Sequence, residues 1–558
     1  ISEIGGWNLN IHHRYNFHEG ILHKGDGSNV YLKQKPKTIL TLMGDGQQRP
    51  LHCPYCNGVA KDQRLLAPVA LASAPDGSIY VGDFNLVRRI KVDGTVQTVV
   101  ELSASSVAYK YHLAVGPVDG KLYFSDPEKH QILRAINVDD PPDVRNNLEV
   151  IVGTGVKCLP GDRTACGDSR LARDAKLSYP KGIAISANGE IYIADGTNIR
   201  YVDVQGIIHT LIGDHYHKSH WKPLPCWGSI PLQKVALRWP TQIAISPKDS
   251  SLHILDDHMV LKLTQDRRLR VVAGRPSHCS SVITGNQDQE LSATNESNDS
   301  LASQVYLETP QSMAFASNGD LYVAESDSQS INRVRIISSQ DGKISKFAGV
   351  DMKCSCMDVA CECYSNEHLA LNAKFSTISS ISVTPDGRVH ICDQGNLRIR
   401  SVDSSLPSQS MIGEYEINSP ETNEIYAFNR YGQHIGTKSL TNGAQIYSFS
   451  YNVNTLNGKL SSVTDAAGNK MFILRDYANH VKSIENTQGG ECRLGMSKLN
   501  MLETFTSPDK AITRFTYTGG TDGLLASRID SWGGTVIYEY DEFGRLIKAK
   551  VDGKEPME

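Results

Sequence analysis

The sequence predicts an all-β protein, a six-bladed β-propeller followed by the first hairpins of a second β-structure. The first observation is the stretch from residue 179 to residue 213, where four short apolar runs are each stopped by Gly, Asn or Asp. Runs of β-branched and aromatic residues bounded by such turn residues predict a four-stranded antiparallel meander. A sheet that is apolar on both faces needs neighbours on both sides, and the second observation is that copies of this stretch recur.

The most regular part of the stretch is its second strand, Gly189 to Asp195, and related segments occur five more times in the chain. Each of the six segments ends at an acidic residue: Asp83, Asp126, Asp195, Asp256, Glu325 and Asp393. Six radially arranged four-stranded sheets make a six-bladed propeller. Because one blade needs roughly 40–45 residues, the wider spacing of most copies predicts insertions between the blades.

The closure of the ring is the third observation. The sixth copy continues to residue 402 and then lacks a fourth strand, whereas a spare apolar strand, residues 38–44, precedes the first copy. We expect residues 38–44 to complete the sixth blade, because pairing of the two chain ends leaves no sheet edge open. The propeller is therefore predicted to span residues 38–412.

The insertions fall in the links that join the fourth strand of one blade to the first strand of the next. They occupy residues 45–64, 156–174, 214–234, 275–304 and 350–372. These links cross the same face of the disc and have no regular apolar pattern. Long loops on a rigid scaffold are common binding surfaces, so this face is the predicted site of recognition.

The cysteines in these links admit two interpretations, zinc sites or disulfides. The pair Cys53 and Cys56 lacks a second pair at zinc-finger spacing, and Cys-x-Cys chelates zinc poorly. We therefore predict disulfides, as in an oxidising compartment: Cys53–Cys56, Cys158–Cys166, Cys226–Cys279, Cys354–Cys363 and Cys356–Cys361, with Cys392 and Cys492 unpaired. Two sequons, at Asn295 and Asn298, predict glycosylation and agree with secretion.

Two further groups have alternative interpretations. His209, His215, His217 and His220 could bind a transition metal, but we expect a solvated polar loop in which no carboxylate or cysteine is positioned to complete a metal-ligand shell. The six acidic residues could form a ring of carboxylates around the axis. We expect them instead to cap backbone N–H groups of the turn that follows, because a residue repeated in every blade serves the blade.

The period changes after residue 412. Residues 413–558 contain polar, tyrosine-rich hairpins that place Gly three residues after Asn or Asp, at 429–432, 465–468 and 541–544. This spacing predicts a type I turn followed by a left-handed glycine. The first 37 residues have little regular pattern, and we expect their histidines to be packed or solvated.

The composition limits the function classes. In 558 residues, 21% are charged and the net charge is −4, which does not indicate binding to nucleic acid or to an anionic membrane. The sequence contains neither a run of eighteen apolar residues nor a signal peptide at its start. We expect it to be a piece of a larger protein.

The repeats resemble NHL repeats, and several framing sequences resemble the teneurins. These are Ile4–Trp7, Leu22–Gly25, Cys53–Gly58, Leu65–Leu71 and Val81–Asn85. The hairpin at 538–546 is similar to the tyrosine–aspartate (YD or RHS) repeat, whose hairpins spiral into a hollow shell. The resemblance implies three parts: residues 1–37 as the tail of a plug segment, 38–412 as the NHL propeller and 413–558 as the start of the YD shell.

The resemblance also implies a function. Teneurins are single-pass cell-surface adhesion molecules of the nervous system that match synaptic partners. The implied partners are another teneurin, in homophilic or heterophilic contact, and adhesion-GPCR receptors of the latrophilin type. The chain is then extracellular, with its membrane helix outside this sequence, and needs no cofactor.

A short link between the first two blades is the candidate recognition loop. It is rich in Ser and Ala and contains no cysteine, and its candidate residues are Ser103, Tyr109, Lys110 and Tyr111. In vertebrate teneurins a spliced insert that modulates adhesion lies at the matching position. The alternatives are a structural spacer and a propeller enzyme of the metal-dependent lyase or lactonase type. The enzyme is disfavoured because the first strands offer small, apolar side chains rather than convergent His and carboxylates.

Overall fold

The structure, a computed structural model, describes residues 9–17, 19–32, 38–53, 56–213, 224–226, 228–276, 278–279, 300–327, 331–350, 369–403, 407, 413–455, 457–518 and 523–552. It divides into two compact units. One comprises Ile1–Leu32 with Pro407–Glu558, and the other comprises Lys33–Leu406. The N-terminal segment is thus part of the same unit as the C-terminal hairpins.

The unit formed by residues 33–406 is a six-bladed propeller, which confirms the predicted fold. Its strands, in chain order after three strands of the other unit, begin with β4 (Ile39–Met43). Blade one contains β5 (Gly58–Val59), β6 (Pro68–Ser73), β7 (Ile79–Asp83), β8 (Leu86–Ile90) and β9 (Thr95–Glu101). Blade two contains β10 (His112–Val115), β11 (Leu122–Asp126), β12 (Gln131–Ala135) and β13 (Leu148–Val152). Blade three contains β14 (Arg170–Leu171), β15 (Pro180–Ile185), β16 (Ile191–Asp195), β17 (Asn198–Val202) and β18 (Ile207–Ile212).

The other three blades repeat this order. Blade four contains β19 (Ser229–Pro231), β20 (Pro240–Ile245), β21 (Leu252–Asp256), β22 (Met259–Leu263) and β23 (Arg268–Ala273). Blade five contains β24 (Ser300–Leu301), β25 (Pro310–Phe315), β26 (Leu321–Ser326), β27 (Asn332–Ile337) and β28 (Lys343–Ala348). Blade six contains β29 (Ile378–Val383), β30 (Val389–Asp393) and β31 (Arg398–Val402).

Blade six is completed by β4, as the sequence predicts. Strand β4 pairs antiparallel with β31, with Met43 opposite Ile399 and Ile39 opposite Val402. The inner strands β6, β10, β15, β20, β25 and β29 contact one another in this order around the axis, and β29 contacts β6. Apolar side chains fill the space between neighbouring sheets, for example Tyr80 and Phe124 between blades one and two. Each blade therefore buries its two apolar faces against its neighbours.

The links are more regular than predicted. In blades one, three, four and five, a short additional strand (β5, β14, β19 and β24) pairs with the outermost strand of the meander. A one-turn 3₁₀ helix follows each of these strands, at Ala60–Asp62, Ala172–Asp174, Leu232–Lys234 and Ala302–Gln304. The signal in the sequence is an apolar residue followed by a buried Ala or Leu, as in Leu171-Ala172 and Leu301-Ala302. The expectation that the links lack regular structure is wrong for these segments. Further 3₁₀ turns lie at Ala165–Gly167, Ala370–Asn372 and Gln394–Asn396.

The other unit combines two sheets. The small one contains β1 (Arg14–Asn16), β2 (Ile21–His23) and β3 (Asn29–Tyr31). The second is a continuous meander of β32 (Tyr415–Ser419), β33 (Glu424–Phe428), β34 (His434–Ser439), β35 (Gln445–Tyr451), β36 (Leu460–Asp465), β37 (Lys470–Arg475), β38 (Val481–Asn486), β39 (Glu491–Met496), β40 (Leu502–Thr506), β41 (Ile512–Tyr517), β42 (Leu525–Ile529), β43 (Thr535–Tyr540) and β44 (Leu546–Val551).

The predicted left-handed glycines are present at the three hairpin turns, with φ of 74° at Gly432, 86° at Gly468 and 77° at Gly544. At Gly432 a second constraint acts, because an added Cβ would lie 1.9 Å from the carbonyl oxygen of Tyr15. The backbone N of Tyr15 in turn donates to the carbonyl of Gly432 at 3.1 Å. Glycine at this position therefore allows β1 to approach the turn closely.

Histidines from the N-terminal segment pack in the core of this unit. The ring of His434 stacks on the ring of Phe449, with centroids 4.2 Å apart. It also stacks on the ring of His13, with centroids 5.2 Å apart. The Nδ1 atom of His434 accepts a hydrogen bond from the backbone N of His13, and Nε2 of His12 lies 2.7 Å from the Tyr451 hydroxyl. These two N-terminal histidines are packed, one of the two environments expected for them.

Across the described residues, no helix has the length and apolar character needed to cross a membrane.

Candidate recognition face

One face of the propeller carries the links between blades, and we call it the stapled face. In a four-stranded meander the fourth strand ends at the side where the first began, so every link to the next blade crosses that side. Within the described residues, the stapled face is formed by 44–53, 56–67, 102–111, 153–179, 213, 224–226, 228–239, 274–276, 278–279, 300–309, 349–350 and 369–377, together with the turns between second and third strands. The described part of these links is positioned by four kinds of contact.

Disulfides are the first kind of contact. The structure joins Cys53 to Cys56 and Cys158 to Cys166 within single links, with Cα atoms 5.4 and 5.6 Å apart. Cys226 and Cys279 are joined between two consecutive links. Cys392 and Cys492 are free thiols. The cysteines at 354, 356, 361 and 363 and the sequons at 295 and 298 lie outside the described residues, so those predictions remain predictions.

The acidic residues that recur at the ends of the second strands provide the second kind of contact. They cap backbone N–H groups other than the ones expected. Asp83 Oδ1 accepts hydrogen bonds from the backbone N of Leu66 and Ala67, at 2.7 and 2.8 Å. Asp195 accepts in the same way from Ser178 and Tyr179. The capped N–H groups thus belong to the end of the preceding link, not to the following turn. Related caps are made by Asp256, Glu325 and Asp393.

Blade two is the exception. Asp126 accepts hydrogen bonds from the backbone N of Glu128 and Lys129, in the turn that follows. The expected local cap is therefore right for this blade alone among the six. In no blade does the acidic residue stand free at the axis, so the interpretation as an axial carboxylate ring is wrong. The carboxylates fix the entry of the link into the inner strand, because they satisfy N–H groups that would otherwise be buried without partners.

Buried arginines, which the sequence reasoning missed, are the third kind of contact. Arg88, Arg200 and Arg335 occupy corresponding positions of the third strands, and each is nearly inaccessible to solvent. Their guanidinium groups donate to the carbonyl of the residue four positions before the inner strand, namely Arg64 at 2.9 Å, Lys176 at 2.8 Å and Tyr306 at 2.9 Å. The sequence does contain a signal for these buried arginines, because Arg recurs at this position of the third strand in four blades, including Arg400.

Two of these arginines also donate to the backbone carbonyl of a disulfide-bonded cysteine. Arg88 Nη2 donates to the carbonyl of Cys56 at 2.5 Å, and Arg200 Nη2 donates to the carbonyl of Cys166 at 3.3 Å. Charge-assisted hydrogen bonds of this kind are about twice as strong as neutral ones. The covalent staple and the buried cation thus act on the same link, so the link keeps one conformation.

The fourth kind of contact is an ion pair that holds the first link. Arg49, which is almost fully buried, donates through Nε to Asp83 Oδ2 at 2.6 Å and through Nη2 to Asn85 Oδ1 at 3.0 Å. The same Asp83 caps the link with its other oxygen. Both carboxylate oxygens of Asp83 therefore accept hydrogen bonds from the protein itself, and neither is free to contact a substrate.

The structure places the residues of the candidate recognition loop in different environments, and the role of the loop in recognition stays a prediction. Ser103 is exposed, and Tyr109 is 84% exposed. Tyr111, in contrast, is 0% exposed, packs on Phe124 with centroids 4.7 Å apart and donates its hydroxyl to the carbonyl of Phe84. Its role as a surface aromatic is therefore excluded. Tyr111 is buried because it lies directly before the inner strand β10, where the chain enters the sheet.

Lys110 is likewise not a fully exposed residue. It is half-buried, and its Nζ donates to Oε1 of Gln311 at 3.1 Å. Gln311 belongs to blade five, three blades away from Lys110. The exposed residues of the loop are therefore Ser103, Ser105, Ser106 and Tyr109.

The candidate metal ligands have other partners. The sequence reasoning found no carboxylate near His209, but its Nε2 lies 3.0 Å from Asp203 Oδ2, in the turn between β17 and β18 and therefore on the face opposite the stapled face. The histidines at 215, 217 and 220 lie outside the described residues. Within the described ranges, Cys226, Cys279 and His278 come close enough to share an ion. The two sulfurs are bonded to each other, so they are not available as thiolate ligands.

Comparisons with known proteins agree with this architecture. Residues 36–403 match the family model described as teneurin NHL domain, and residues 412–555 match the model described as teneurin YD-shell. The chain is 58% identical over 550 residues to Teneurin-m of Drosophila melanogaster and 40% identical over 553 residues to Teneurin-3 of Mus musculus. Each alignment covers 98% of this chain and 20% of the relative. The chain thus spans about a fifth of the length of these relatives.

Among solved structures, a structural genomics protein of unknown function from Bacteroides thetaiotaomicron is similar to this chain. The TM-score is 0.44 and the sequence identity is 16%, over 69% of this chain and 81% of that protein. Such a likeness has no bearing on function.

Proposed function

This chain belongs to the teneurin family, and from that premise we propose that it is an adhesion module whose stapled face recognises a partner on a facing cell. The proposed setting is the extracellular part of a single-pass cell-surface protein, in synaptic partner matching and axon guidance. The observation that supports it most is the construction of the stapled face. Disulfides, acidic caps and buried arginines hold its long links in one conformation, and a fixed conformation lowers the entropy lost on binding.

Recognition is proposed to involve the loop between blades one and two. Residues 103–106 form a turn in which the backbone N of Ser106 donates to the carbonyl of Ser103. Tyr109 follows with most of its side chain exposed. An exposed aromatic residue beside a polar, adaptable loop is a common anchor at protein interfaces. The proposed partner is another teneurin, with latrophilin-type adhesion GPCRs as a second partner class.

An enzyme of the lyase or lactonase type is the alternative function. Family membership argues against it. In addition, the second-strand carboxylates are engaged as backbone caps and ion-pair partners. A catalytic constellation needs convergent groups that are free to contact the substrate.

A cell-aggregation assay with the full-length protein tests the adhesion proposal. Replacing Ser103–Ser106 by a Gly-Ser sequence, or changing Tyr109 to Ala, should weaken aggregation while leaving surface expression unchanged. A replacement that extends to Lys110 would also remove the buried Ala108 and is therefore avoided. The control is Val118→Ser, which changes an equally exposed residue in the turn between β10 and β11, at the opposite face. Full aggregation with both loop variants would disprove the role of this loop.

A further inference from the structure

The axial opening of the stapled face contains a lysine in an unusual place. Pro opens the inner strand in four blades (Pro68, Pro180, Pro240 and Pro310), and Lys110 stands at the corresponding position of blade two. Its Nζ donates to Oε1 of Gln311 in blade five. Blades two and five are opposite each other in a six-membered ring, so the Lys110 side chain extends across the axis. The ammonium group therefore lies in the mouth of the axial channel.

Two more basic groups lie close to it. Lys181, at the start of the inner strand of blade three, is 5% exposed, and its Nζ donates to the carbonyl of Gly196 at 2.9 Å. His112 begins the inner strand of blade two. Burial, together with the charges of Lys110 and Lys181, lowers the pKa of His112 to about 3. Two lysines and an imidazole that is uncharged at neutral pH thus form one cluster, which we call the axial cluster.

Few acceptors face the axial cluster. Burial lowers the pKa of Lys181 to about 7, and Asp195 and Asp256 offset this only in part, because both carboxylates also cap backbone N–H groups. In the described part of the chain, Lys110 has a single hydrogen-bond acceptor, the neutral amide of Gln311, for three N–H donors. No described residue forms a hydrogen bond with the His112 imidazole. A cation in a channel with so few acceptors is poorly compensated, and an anion would improve its environment.

Aromatic residues recur next to the axial cluster in the sequence. The residue before the Pro position, which Lys110 occupies in blade two, is aromatic in three consecutive blades: Tyr109, Tyr179 and Trp239. The ring centroids of Tyr179 and Trp239 are 6.0 Å apart, and Lys181 Nζ lies 3.5 Å from the Trp239 ring centroid. Trp239 is 48% exposed although it is aromatic. The opening therefore combines exposed aromatic surface with cations and a side-chain amide.

We propose that this opening binds an acidic sugar, a saccharide unit that carries a carboxylate. The carboxylate contacts the ammonium groups of Lys110 and Lys181, and the sugar ring packs against Tyr109 and Trp239. Nε2 of Gln311 already donates to the carbonyls of Thr309 and Ser326, but its Oε1 has a second lone pair that can accept from a hydroxyl group, as can the imidazole of His112. A simple carboxylate uses the cations alone, and a neutral sugar uses the aromatic and amide groups alone. The combination is what selects the acidic sugar.

The test uses the disulfide-bonded chain and three small probes: glucuronate, glucose and acetate. Glucuronate is expected to bind and to change the intrinsic tryptophan fluorescence, because Trp239 lines the site. Glucose and acetate should each bind at least about tenfold more weakly, since each lacks one half of the contacts. Absence of glucuronate binding up to about 10 mM would overturn the proposal. Equal affinity for acetate and glucuronate would overturn the assignment to a sugar.

Variants locate the site. Lys110→Gln keeps a polar side chain opposite Gln311 and should weaken glucuronate binding about tenfold or more. Lys248→Gln is the matched control, because Lys248 is exposed in the turn between β20 and β21, at the other face. Glucuronate binding that is unchanged in Lys110→Gln would overturn the proposal. If Lys110→Gln does not fold, the comparison of the three probes on the unaltered protein still decides. Adhesion is a separate readout, so failure of this proposal leaves the proposed function untouched.

Discussion

Oγ of Ser380, in the inner strand of blade six, accepts a hydrogen bond from the backbone N of Leu71, in the inner strand of blade one, at 3.1 Å. Ser379 Oγ and Cys392 Sγ both donate to the carbonyl of Pro68 at the same boundary. The ring is therefore closed twice, at the rim by β4 and β31 and at the axis by these side chains. Similar bonds join blade four to five and five to six, through Gln242 and Ser312.

The first prediction concerns the closing strand. Met43 is fully buried opposite Ile399, whereas Leu40 on the same strand is 52% exposed. Met43→Ala should lower the free energy of unfolding of the propeller by about 2–5 kcal/mol, because it leaves a cavity at the closure. Leu40→Ala should change it by less than about 0.5 kcal/mol. Chemical denaturation of the two variants measures the difference, and equal midpoints would contradict closure through β4.

The second prediction concerns the contact between Gly82 and Tyr111. A Cβ added at Gly82 would lie 2.5 Å from Cε2 of Tyr111 and 2.8 Å from its hydroxyl. Gly82→Ala should therefore destabilise the propeller by about 1–3 kcal/mol through overpacking. Combining it with Tyr111→Leu should recover part of the loss relative to the sum of the single changes. A fully additive double variant, measured by thermal unfolding, would show that the two residues do not touch.

A third prediction tests the buried arginines. Blade four has Leu261 at the position of Arg200, so Leu fits this site of the sheet. Arg200→Leu should remove the donor to the Lys176 carbonyl and one of the two donors to the Cys166 carbonyl, and should loosen the link of residues 156–174. Limited proteolysis should cut this link faster than in the unaltered protein. Arg163→Leu, in the exposed part of the same link, is the control and should not change the cleavage rate.

The fourth prediction is a loss of stability in acid. Burial, with a smaller effect of neighbouring charges, lowers the pKa of His12 and of His13 to about 4, and burial also lowers the pKa of His434 well below its usual value. A histidine whose pKa is lower when folded contributes stability above its unfolded pKa of 6.5. That stability is lost as the pH falls from 6.5 towards 4, by on the order of 2–3 kcal/mol for each of the two N-terminal histidines.

Denaturation of the protein at pH 7 and at pH 5 measures this effect in the unit that contains residues 9–32. His13→Phe should reduce the pH dependence, because it removes one of the titrating groups. His480→Gln, at an exposed histidine, should leave it unchanged. A pH dependence that is the same in both variants would assign the effect to other groups.

The fifth prediction concerns the thiols. Peptide mapping without reduction should recover Cys53–Cys56, Cys158–Cys166 and Cys226–Cys279, together with Cys354–Cys363 and Cys356–Cys361. Cys392 is fully buried, and burial raises the pKa of its thiol to about 12, so an alkylating reagent should modify it only after unfolding. Cys492, which is partly exposed, should react in the folded protein. A disulfide between these two cysteines would contradict the structure.

Sequence reasoning predicted the number of blades, the closing strand and the cysteine pairs that the structure describes. Each of these depends on a signal that is short or periodic, such as the acidic end of every second strand or the glycine at every turn. It missed the additional strands in the links, because two residues such as Leu171-Ala172 are too short to show a period of two. It also placed Tyr111 on the surface, because neighbours from another strand decide whether an aromatic residue at a strand entry is buried.

By itself, the sequence determined the repeating blade, since alternation of apolar residues and turn residues acts over a few positions of the chain. The tertiary structure alone decided which groups meet at the axis and in the links. Lys110 reaches Gln311, Arg200 reaches the carbonyl of Cys166, and Asp83 caps Leu66 and Ala67 rather than its own turn. The contact of Lys110 with Gln311 arises only when closure of the ring brings different blades together. The other two form when a link packs against its own blade, and no local sequence pattern encodes either geometry.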